Sequence, residues 1–173
     1  MIPLSIADIA EITGGSLDCV SDPDQRVTGF IEFDSRKVTT GGLFLALPGA
    51  RVDGHDYAEK AIEQGAVAVL AARPVGVPAV VVKPQGRVTG DAANADIYAH
   101  DEDGSAAAVV QALSDIAREV TRRLTAEQGL EIVGVTGSAG KTSTKDLLAT
   151  IFRAEGDTVA PPGSFNNEVG LPH

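Results

Sequence analysis

The sequence predicts an α/β fold: a small N-terminal α/β domain with a mixed sheet, then a strand, a glycine-rich loop and a helix that begin a second domain. Two observations carry this prediction. Short apolar runs alternate with helical periodicities over residues 1–127, as expected where helices cover a sheet. Near residue 137 a glycine-rich loop stands between a β-rich run and an amphipathic helix. The composition agrees, because 43% apolar side chains with 19 Gly and 9 Pro in 173 residues are typical of a folded α/β chain.

The charge and the cysteine content exclude several classes of function. The chain carries 14 Lys and Arg against 24 Asp and Glu, a formal charge of −10, so no net positive field gathers nucleic acid or an anionic membrane. No apolar run approaches the roughly 18 residues of a membrane span. The single cysteine, Cys19, excludes an intramolecular disulfide, and the three histidines lack the spacing of a zinc site. We therefore expect a cytoplasmic protein.

The first helix and the first two strands are predicted from local signals. Ser5 is a capping residue with Asp8 three positions later, and Gly14 follows the last apolar position, so a helix is expected between them. The apolar runs over residues 27–33 and 43–47 predict strands.

A second helix and two more strands are expected next. Asp56, with Glu59 three residues later, is a candidate N-cap for a helix that reaches Gly65. Residues 66–72 and 79–82 then predict two buried strands, as in a sheet covered by helices.

An acidic stretch and a long helix complete the first domain. Residues 85–104 are rich in Asp and poor in large apolar side chains, which predicts a surface excursion. Its acidic residues 101–103 favour a solvated loop over a cation site. A helix is expected from Ser105 to just before Gly129.

The remainder of the chain begins a new domain. Residues 131–136 predict a strand, residues 137–140 a loop, and residues 141–154 a helix with an apolar side. Residues 158–160 are a candidate for the next strand. Too few residues follow for a complete nucleotide-binding sheet, because each crossover unit takes roughly 30 residues. We expect the sequence to be the N-terminal part of a longer protein, truncated within this second domain.

The glycine-rich loop is the strongest chemical signal. Backbone N–H groups converge at such a loop, and the following helix dipole favours negative charge, so the loop can hold phosphate oxygens. Lys141 adds a full positive charge, and the Thr142 hydroxyl is placed to bind Mg²⁺. The strict G-x4-G-K-[ST] spacing is not met, because Val135 stands where the first glycine belongs. The alternative is a glycine-rich β–α turn with a solvated lysine.

Two polar motifs in the first domain are candidates for ligand binding. Residues 34–36, Asp-Ser-Arg, place a guanidinium at a strand end, where it can bind a diphosphate with two parallel hydrogen bonds. Residues 53–56, Asp-Gly-His-Asp, stand before a predicted helix. Taken alone, each motif is more typical of a solvated turn or a helix cap. Cys19 has no basic neighbours in the sequence and is expected to be inert.

Five motifs in this order resemble one family. They are residues 33–36, 43–49, 53–56, 137–143 and 163–172, the last with the sequence Gly-Ser-Phe-Asn-Asn-Glu-Val-Gly-Leu-Pro. Together they resemble the Mur ligases of peptidoglycan synthesis, and the likeness extends over nearly the whole chain. The relaxed glycine spacing of the loop is the form that Mur ligases use. The resemblance implies an N-terminal domain, residues 1–127, that binds a UDP-MurNAc-peptide, and a truncated ATP-binding domain over residues 128–173.

The resemblance also implies the roles of individual residues. It implies a catalytic role for Lys141, Thr142, Asn166 and Asn167. Thr142 is also the implied ligand of Mg²⁺. ATP binding is implied for Gly137, Ser138, Ala139, Gly140, Lys141, Thr142 and Ser143. Binding of the UDP-sugar substrate is implied for Asp34, Ser35, Arg36, Ala46, Leu47, Pro48, Gly49, Asp53, Gly54, His55 and Asp56.

The implied reaction is the ATP-dependent joining of D-alanyl-D-alanine to UDP-N-acetylmuramoyl-tripeptide through an acyl phosphate. Residues 163–172 favour this member of the family over the one that adds the third amino acid, which remains an alternative. A non-catalytic UDP-sugar-binding module is the other alternative. We expect a monomer that uses ATP and Mg²⁺, and a segment that is inactive without the rest of the enzyme.

Overall fold

The computed structural model describes residues 2–49, 52–87 and 101–161. Its strands are β1 (Leu4–Ser5), β2 (Ser16–Asp18), β3 (Arg26–Val27), β4 (Ile31–Glu32), β5 (Gly42–Leu45), β6 (Ala66–Ala71) and β7 (Ala79–Val81). Its α-helices are α1 (Ile6–Thr13), α2 (Ala58–Glu63), α3 (Ser105–Gln128) and α4 (Lys141–Phe152). Two 3-10 helices span Ser35–Lys37 and Gly54–Tyr57. The predicted motif at 163–172 and most of the acidic excursion lie outside these residues.

A mixed five-stranded sheet organises the first domain, as predicted. The strand order is β2-β7-β6-β5-β4. Strands β4 to β7 run parallel, and β2 joins the edge at β7 in the antiparallel direction. Strands β1 and β3 form a separate antiparallel pair. The carboxyl ends of the parallel strands therefore meet at one edge of the sheet, where α/β proteins bind their ligands.

Helices cover both faces of this sheet. Leu43 and Leu45 of β5 are buried in a core shared with α1 and α3, whereas Phe44 between them is buried in a second core with α2. This alternation follows from the period of two along a strand. Because both faces are covered, the central strands β5, β6 and β7 are apolar throughout, and the sequence therefore shows them as short apolar runs.

The ends of helix α1 confirm the predicted capping signals. The Asp8 backbone N–H donates to Ser5 Oγ over 3.0 Å, and the Ser5 N–H donates back to Asp8 Oδ2 over 2.9 Å. These reciprocal bonds lower the pKa of Asp8, chiefly through the bond from the Ser5 backbone. Gly14 ends the helix at a φ of 64°, in the left-handed region that favours glycine.

Helix α3 begins at Ser105 and ends before Gly129, as predicted, but its start corrects the expectation of a solvated acidic loop. Asp101 is 4% exposed. Its carboxylate accepts hydrogen bonds from the backbone N–H groups of Ala106 (2.8 Å) and Ala107 (2.9 Å). Asp101 therefore satisfies the first turn of α3, where an anion is favoured by the helix dipole.

Two predicted elements of the first domain differ in detail. The expected strand over residues 27–33 is divided between β3 and β4, because the N–H groups of Thr28 and Gly29 both donate to the Gly41 carbonyl and bend the chain. The predicted N-cap Asp56 is also wrong. The residue before α2 is Tyr57, and Asp53 instead caps the preceding 3-10 helix by accepting from the His55 N–H.

The predicted strands at 131–136 and 158–160 are not formed. No strand within residues 2–49, 52–87 and 101–161 pairs with them, and a strand needs a hydrogen-bonding partner. Ile132 and Val133 are 64% and 58% exposed. The predicted helix after the loop is confirmed as α4, which ends two residues earlier than expected. In the part of the chain that is described, no helix has the length and apolar character needed to cross a bilayer.

Candidate functional site

A groove lies at the carboxyl end of β5, between the two 3-10 helices. Its volume is about 510 Å³. It is lined by Phe33, Asp34, Ser35, Arg36, Phe44, Leu47, Val52, Gly54, Tyr57 and Lys60. The fold thus brings together three motifs that are separate in the sequence: residues 33–36, the segment after β5, and residues 53–56. A mixed apolar and charged lining suits a ligand with both a ring and an anionic group.

Asp34 and Arg36 form an ion pair on one wall of the groove. Arg36 Nε donates to Asp34 Oδ1 over 2.9 Å, and Arg36 Nη2 donates to Asp34 Oδ2 over 2.8 Å. The Arg36 backbone N–H also donates to Asp34 Oδ1. These bonds lower the pKa of Asp34 to about 2. The edge of the guanidinium predicted to bind a diphosphate is thus held by Asp34, while the buried Ser35 lies between them.

His55 is buried next to the groove and stabilises the loop that contains Gly54. Its side chain is 2% exposed, Nδ1 lies 2.6 Å from Asp53 Oδ1, and Nε2 accepts a hydrogen bond from the Ala72 backbone N–H. An Nε2 acceptor places the ring proton on Nδ1, facing Asp53. With both nitrogens engaged, His55 ties the loop to the end of β6, and its side chain is not at the groove surface.

Asp53 connects this histidine to an arginine. Burial opposes the ionised form of Asp53, but the hydrogen bonds from the His55 backbone and ring, with the charge of Arg73, lower its pKa overall. Arg73 Nη1 lies 3.0 Å from Asp53 Oδ2 and Arg73 Nη2 lies 3.7 Å from Asp56 Oδ1. The Asp53 and Asp56 carboxylates therefore hold the loop in place through protein partners.

The segment after β5 closes against the 53–56 loop. Pro48 pairs with Asp53 in an antiparallel bridge, and the Gly49 N–H donates to the Val52 carbonyl over 3.0 Å. A Cβ on Gly54 would lie 2.6 Å from the backbone N and O of Leu47, so only glycine fits there without a shift. Of the residues predicted to bind the UDP-sugar, five line the groove: Asp34, Ser35, Arg36, Leu47 and Gly54. Ala46, Pro48, Gly49, Asp53, His55 and Asp56 are absent from that lining.

The sequence prediction missed Tyr57 and Lys60, which also line the groove. Their signal was available, because residues three apart in a helical segment share a face. A helix that begins at Asp56 would place Tyr57 and Lys60 in its first turn, where the residue types favour capping over ligand binding. Phe33 and Val52 complete the apolar part of the lining.

The glycine-rich loop leads directly into α4. Gly137 and Gly140 have φ values of 150° and 76°, in a range that residues with a side chain rarely adopt. Lys141 Nζ donates to the Gly137 carbonyl, so the lysine lies across the loop. Within the described ranges no side chain accepts from the first-turn N–H groups of α4. Ser138, Ala139, Thr142 and Ser143 are exposed around this unsatisfied turn.

Few of the described side chains could coordinate a metal ion. No group of three or more His, Cys, Asp or Glu side chains in residues 2–49, 52–87 and 101–161 has the arrangement of a metal site. Thr142 is exposed in the first turn of α4 and fits a magnesium ligand by the chemistry of its hydroxyl. Asn166 and Asn167, predicted to take part in catalysis, lie outside the described residues.

The chain combines a mixed α/β sheet that has a groove at the carboxyl end of β5 with a glycine-rich loop that leads into α4. Two family models match the chain: the Mur ligase family catalytic domain over residues 28–127 and the Mur ligase middle domain over residues 135–173. The chain belongs to the Mur ligase family.

Relatives with curated names support this membership. The chain is 58% identical over 175 residues to the UDP-N-acetylmuramoyl-tripeptide–D-alanyl-D-alanine ligase of Mycobacterium leprae, covering 99% of this chain and 34% of the relative. It is 31% identical to the Escherichia coli enzyme of the same name, again over 99% of this chain. A 2,6-diaminopimelate-adding ligase from Geobacillus thermodenitrificans is 36% identical over 81% of the chain. The chain spans about a third of the length of its mycobacterial relative.

Solved structures share the fold. A crystal structure of MurF from Acinetobacter baumannii matches with a TM-score of 0.71 and 27% identity, covering 98% of this chain and 32% of that one. MurF from Thermotoga maritima in complex with ADP matches with a TM-score of 0.57 and 30% identity over 84% of this chain. The mixed α/β architecture is therefore that of the N-terminal part of a Mur ligase.

Proposed function

We propose that the full-length protein joins D-alanyl-D-alanine to UDP-N-acetylmuramoyl-tripeptide in peptidoglycan precursor synthesis, with ATP as the energy source. The observation that carries this proposal is the 58% identity, over 99% of the chain, to a mycobacterial ligase of that name. The diaminopimelate-adding relative is less similar, at 36% identity over a shorter stretch. The order of preference agrees with the Asn-Asn motif of residues 163–172.

The proposed domain division assigns residues 1–127 to binding of the UDP-MurNAc-peptide and residues 128–173 to the start of the ATP-binding domain. The end of α3 supports a boundary near residue 128, because Gly129 takes the left-handed conformation that ends the helix. The two family models support the same division, since they match residues 28–127 and 135–173.

The glycine-rich loop is proposed to hold the phosphates of ATP. Its open first-turn amides, together with the Lys141 ammonium, supply donors and positive charge at one point. Lys141 would exchange its bond to the Gly137 carbonyl for one to a phosphate oxygen. Thr142 would hold Mg²⁺, which neutralises charge on the phosphate oxygens when it is bound.

The proposed chemistry has two steps. The terminal carboxylate of the tripeptide attacks the γ-phosphorus of ATP, which forms a carboxyl–phosphate bond and releases ADP. The amine of D-alanyl-D-alanine then attacks the acyl carbon, the C–O bond to phosphate breaks, and phosphate and a proton leave as the amide forms. Lys141 acts in the first step by stabilising the charge that develops on the transferred group.

The groove is proposed to hold the UDP end of the substrate. Phe33 and Tyr57 offer ring surfaces within one cavity of about 510 Å³, and its lining carries a net positive charge because Arg36 and Lys60 face a single carboxylate, Asp34. A nucleoside diphosphate presents the matching chemistry of a planar base and two phosphates. His55 and Asp53 support the groove by positioning its loop rather than by contacting the ligand.

The decisive experiment measures ADP release by the full-length protein with UDP-MurNAc-tripeptide. We expect release to depend on D-alanyl-D-alanine. Stimulation by a diamino acid with UDP-MurNAc-dipeptide instead would assign the protein to the third-amino-acid step. Absence of ADP release with either set of substrates would reject the ligase proposal and favour a non-catalytic binding module, which UDP binding without turnover would identify.

A further inference from the structure

The groove contains two cations with different partners. Arg36 is held by Asp34 through two parallel hydrogen bonds of 2.9 and 2.8 Å, so its charge is compensated within the protein. Lys60 is exposed, and its ammonium has no hydrogen bond or ion pair with any residue in the described part of the chain. An uncompensated cation inside a groove is the group most available to an anionic ligand.

The position of Lys60 fits a role at the phosphate end of the groove. Lys60 lies in α2, three residues after Tyr57, and both side chains face the same cavity. Spacing of three residues places side chains on one face of a helical segment, about one turn apart. A base lying against Tyr57 would therefore have its attached phosphates within reach of the long, flexible lysine side chain.

Charge selects the same residue. The charged side chains that line the groove are Asp34, Arg36 and Lys60, and Asp34 cancels Arg36. One net positive charge remains, in a chain whose formal charge is −10. An anion approaching the groove is repelled by the protein as a whole and is attracted at this position by Lys60.

We propose that Lys60 is the anion-binding residue of the groove and binds a phosphate oxygen of the nucleoside diphosphate. This inference rests on the proposed function, because it takes the UDP end of the substrate as the ligand. It differs from the expectation from sequence, which gave the diphosphate to Arg36. In this arrangement Arg36 and Asp34 shape the wall of the groove, and Lys60 supplies the charge that the ligand needs.

The test measures binding of UDP and of uridine to the full-length protein by isothermal titration calorimetry. Lys60→Gln should weaken UDP binding about tenfold or more, because a hydrogen bond to a charged group is lost. Uridine lacks the phosphates, so its affinity should stay within twofold. Lys60→Arg keeps the charge and should retain most of the UDP affinity.

Lys37→Gln is the matched control, because Lys37 lies on the neighbouring 3-10 helix but does not line the groove. It should leave both affinities within twofold, and an effect equal to that of Lys60→Gln would overturn the inference. Unchanged UDP affinity in Lys60→Gln would also overturn it, and would leave the proposed function intact. A wild-type protein that binds no UDP would overturn both.

Discussion

Helices α3 and α4 both begin after a glycine in the left-handed conformation, but their first turns are used differently. Gly104 and Gly140 have φ values of 82° and 76°. At α3, the buried Asp101 carboxylate accepts from two first-turn amides. At α4, no side chain of the described residues does so. The same local geometry thus serves internal capping in one helix, and in the other it leaves the first-turn amides without a side-chain acceptor among the described residues.

The two helices also differ in how much they bury. Helix α3 buries seven residues, among them Leu113 and Ile116, against the sheet, whereas Ala149 is the buried residue of α4. Leu147 of α4 is 63% exposed. Packing against the sheet therefore stabilises α3, whereas most side chains of α4 are solvent-exposed or only partly buried. Among the described residues, burial therefore contributes far less to α4 than to α3.

The largest expected effect tests the open helix start. Lys141→Ala in the full-length protein should lower kcat by about 10³-fold, because the charge on the transferred phosphoryl group loses its partner. Binding of the UDP substrate should change by no more than a few fold. Steady-state ADP release and direct binding measurements separate the two effects.

Lys145→Ala is the matched control for that variant, because Lys145 lies one turn further along α4 and pairs with Asp146. It should keep most of the activity. An equal loss in Lys145→Ala would mean that the helix, rather than the loop lysine, is responsible.

The next largest effect is expected from removing one leucine side chain from each of the two helices, which compares their packing directly. Leu113 is 1% exposed, so Leu113→Ala should lower the free energy of unfolding of the 173-residue chain by about 3 kcal/mol through lost burial and a cavity. Leu147→Ala should change it by less than about 0.5 kcal/mol. Urea unfolding measures both, and similar losses in the two variants would contradict the contrast.

A smaller effect tests the capped helix start. Asp101→Ala leaves two amides of α3 without their acceptor, and should lower the free energy of unfolding by about 1–2 kcal/mol. Asp115→Ala on the same helix removes a surface pair with Arg118 and should cost about 0.5 kcal/mol or less. Thermal unfolding of both variants gives the comparison, and equal costs would mean that the buried cap contributes no more than a surface ion pair.

The smallest effect concerns a third helix start, where Asp34 caps the 3-10 helix of the groove wall. The hydrogen bonds from Arg36 lower the pKa of Asp34 to about 2 from 3.8. Because the pKa of Asp34 is lower in the folded state, its ionisation stabilises the folded protein at pH values above the ordinary pKa of 3.8. This contribution to stability is lost as the pH falls through about 2. NMR titration should find this midpoint, and Arg36→Ala should return it toward 3.8. An unchanged midpoint in the variant would contradict the assigned cause.

The sequence predicts best those features that depend on neighbours along the chain. The reciprocal bonds of Ser5 and Asp8, the glycine end of α1 and the length of α3 are all local, and all were recognisable. The division of the run at 27–33 was not recognisable, because it depends on a segment further along the chain. Gly29 lies so close to that segment that a Cβ on Gly29 would be 2.7 Å from the backbone N of Gly42.

The candidate site is predictable in its motifs and less so in its geometry. The glycine-rich loop is recognisable from its residue types, whereas the role expected for residues 34–36 comes from the resemblance to the family. The Asp34–Arg36 pair is local, since it joins residues two positions apart. The burial of His55 and the entry of Lys60 into the groove depend on folding distant segments together. The same reason explains Asp101, whose acidic neighbours suggested a solvated loop although its carboxylate is buried.

The two edges of the central sheet bear on how readily it could pair with another strand. Strand β2, at one edge, has three residues, and β4, at the other, has two. Short edges offer few unpaired backbone groups to an approaching strand, which limits edge-to-edge aggregation. The long apolar strands β5 and β6 lie inside. The strongly apolar part of the sheet is therefore kept away from the two edges at which another strand could add to it.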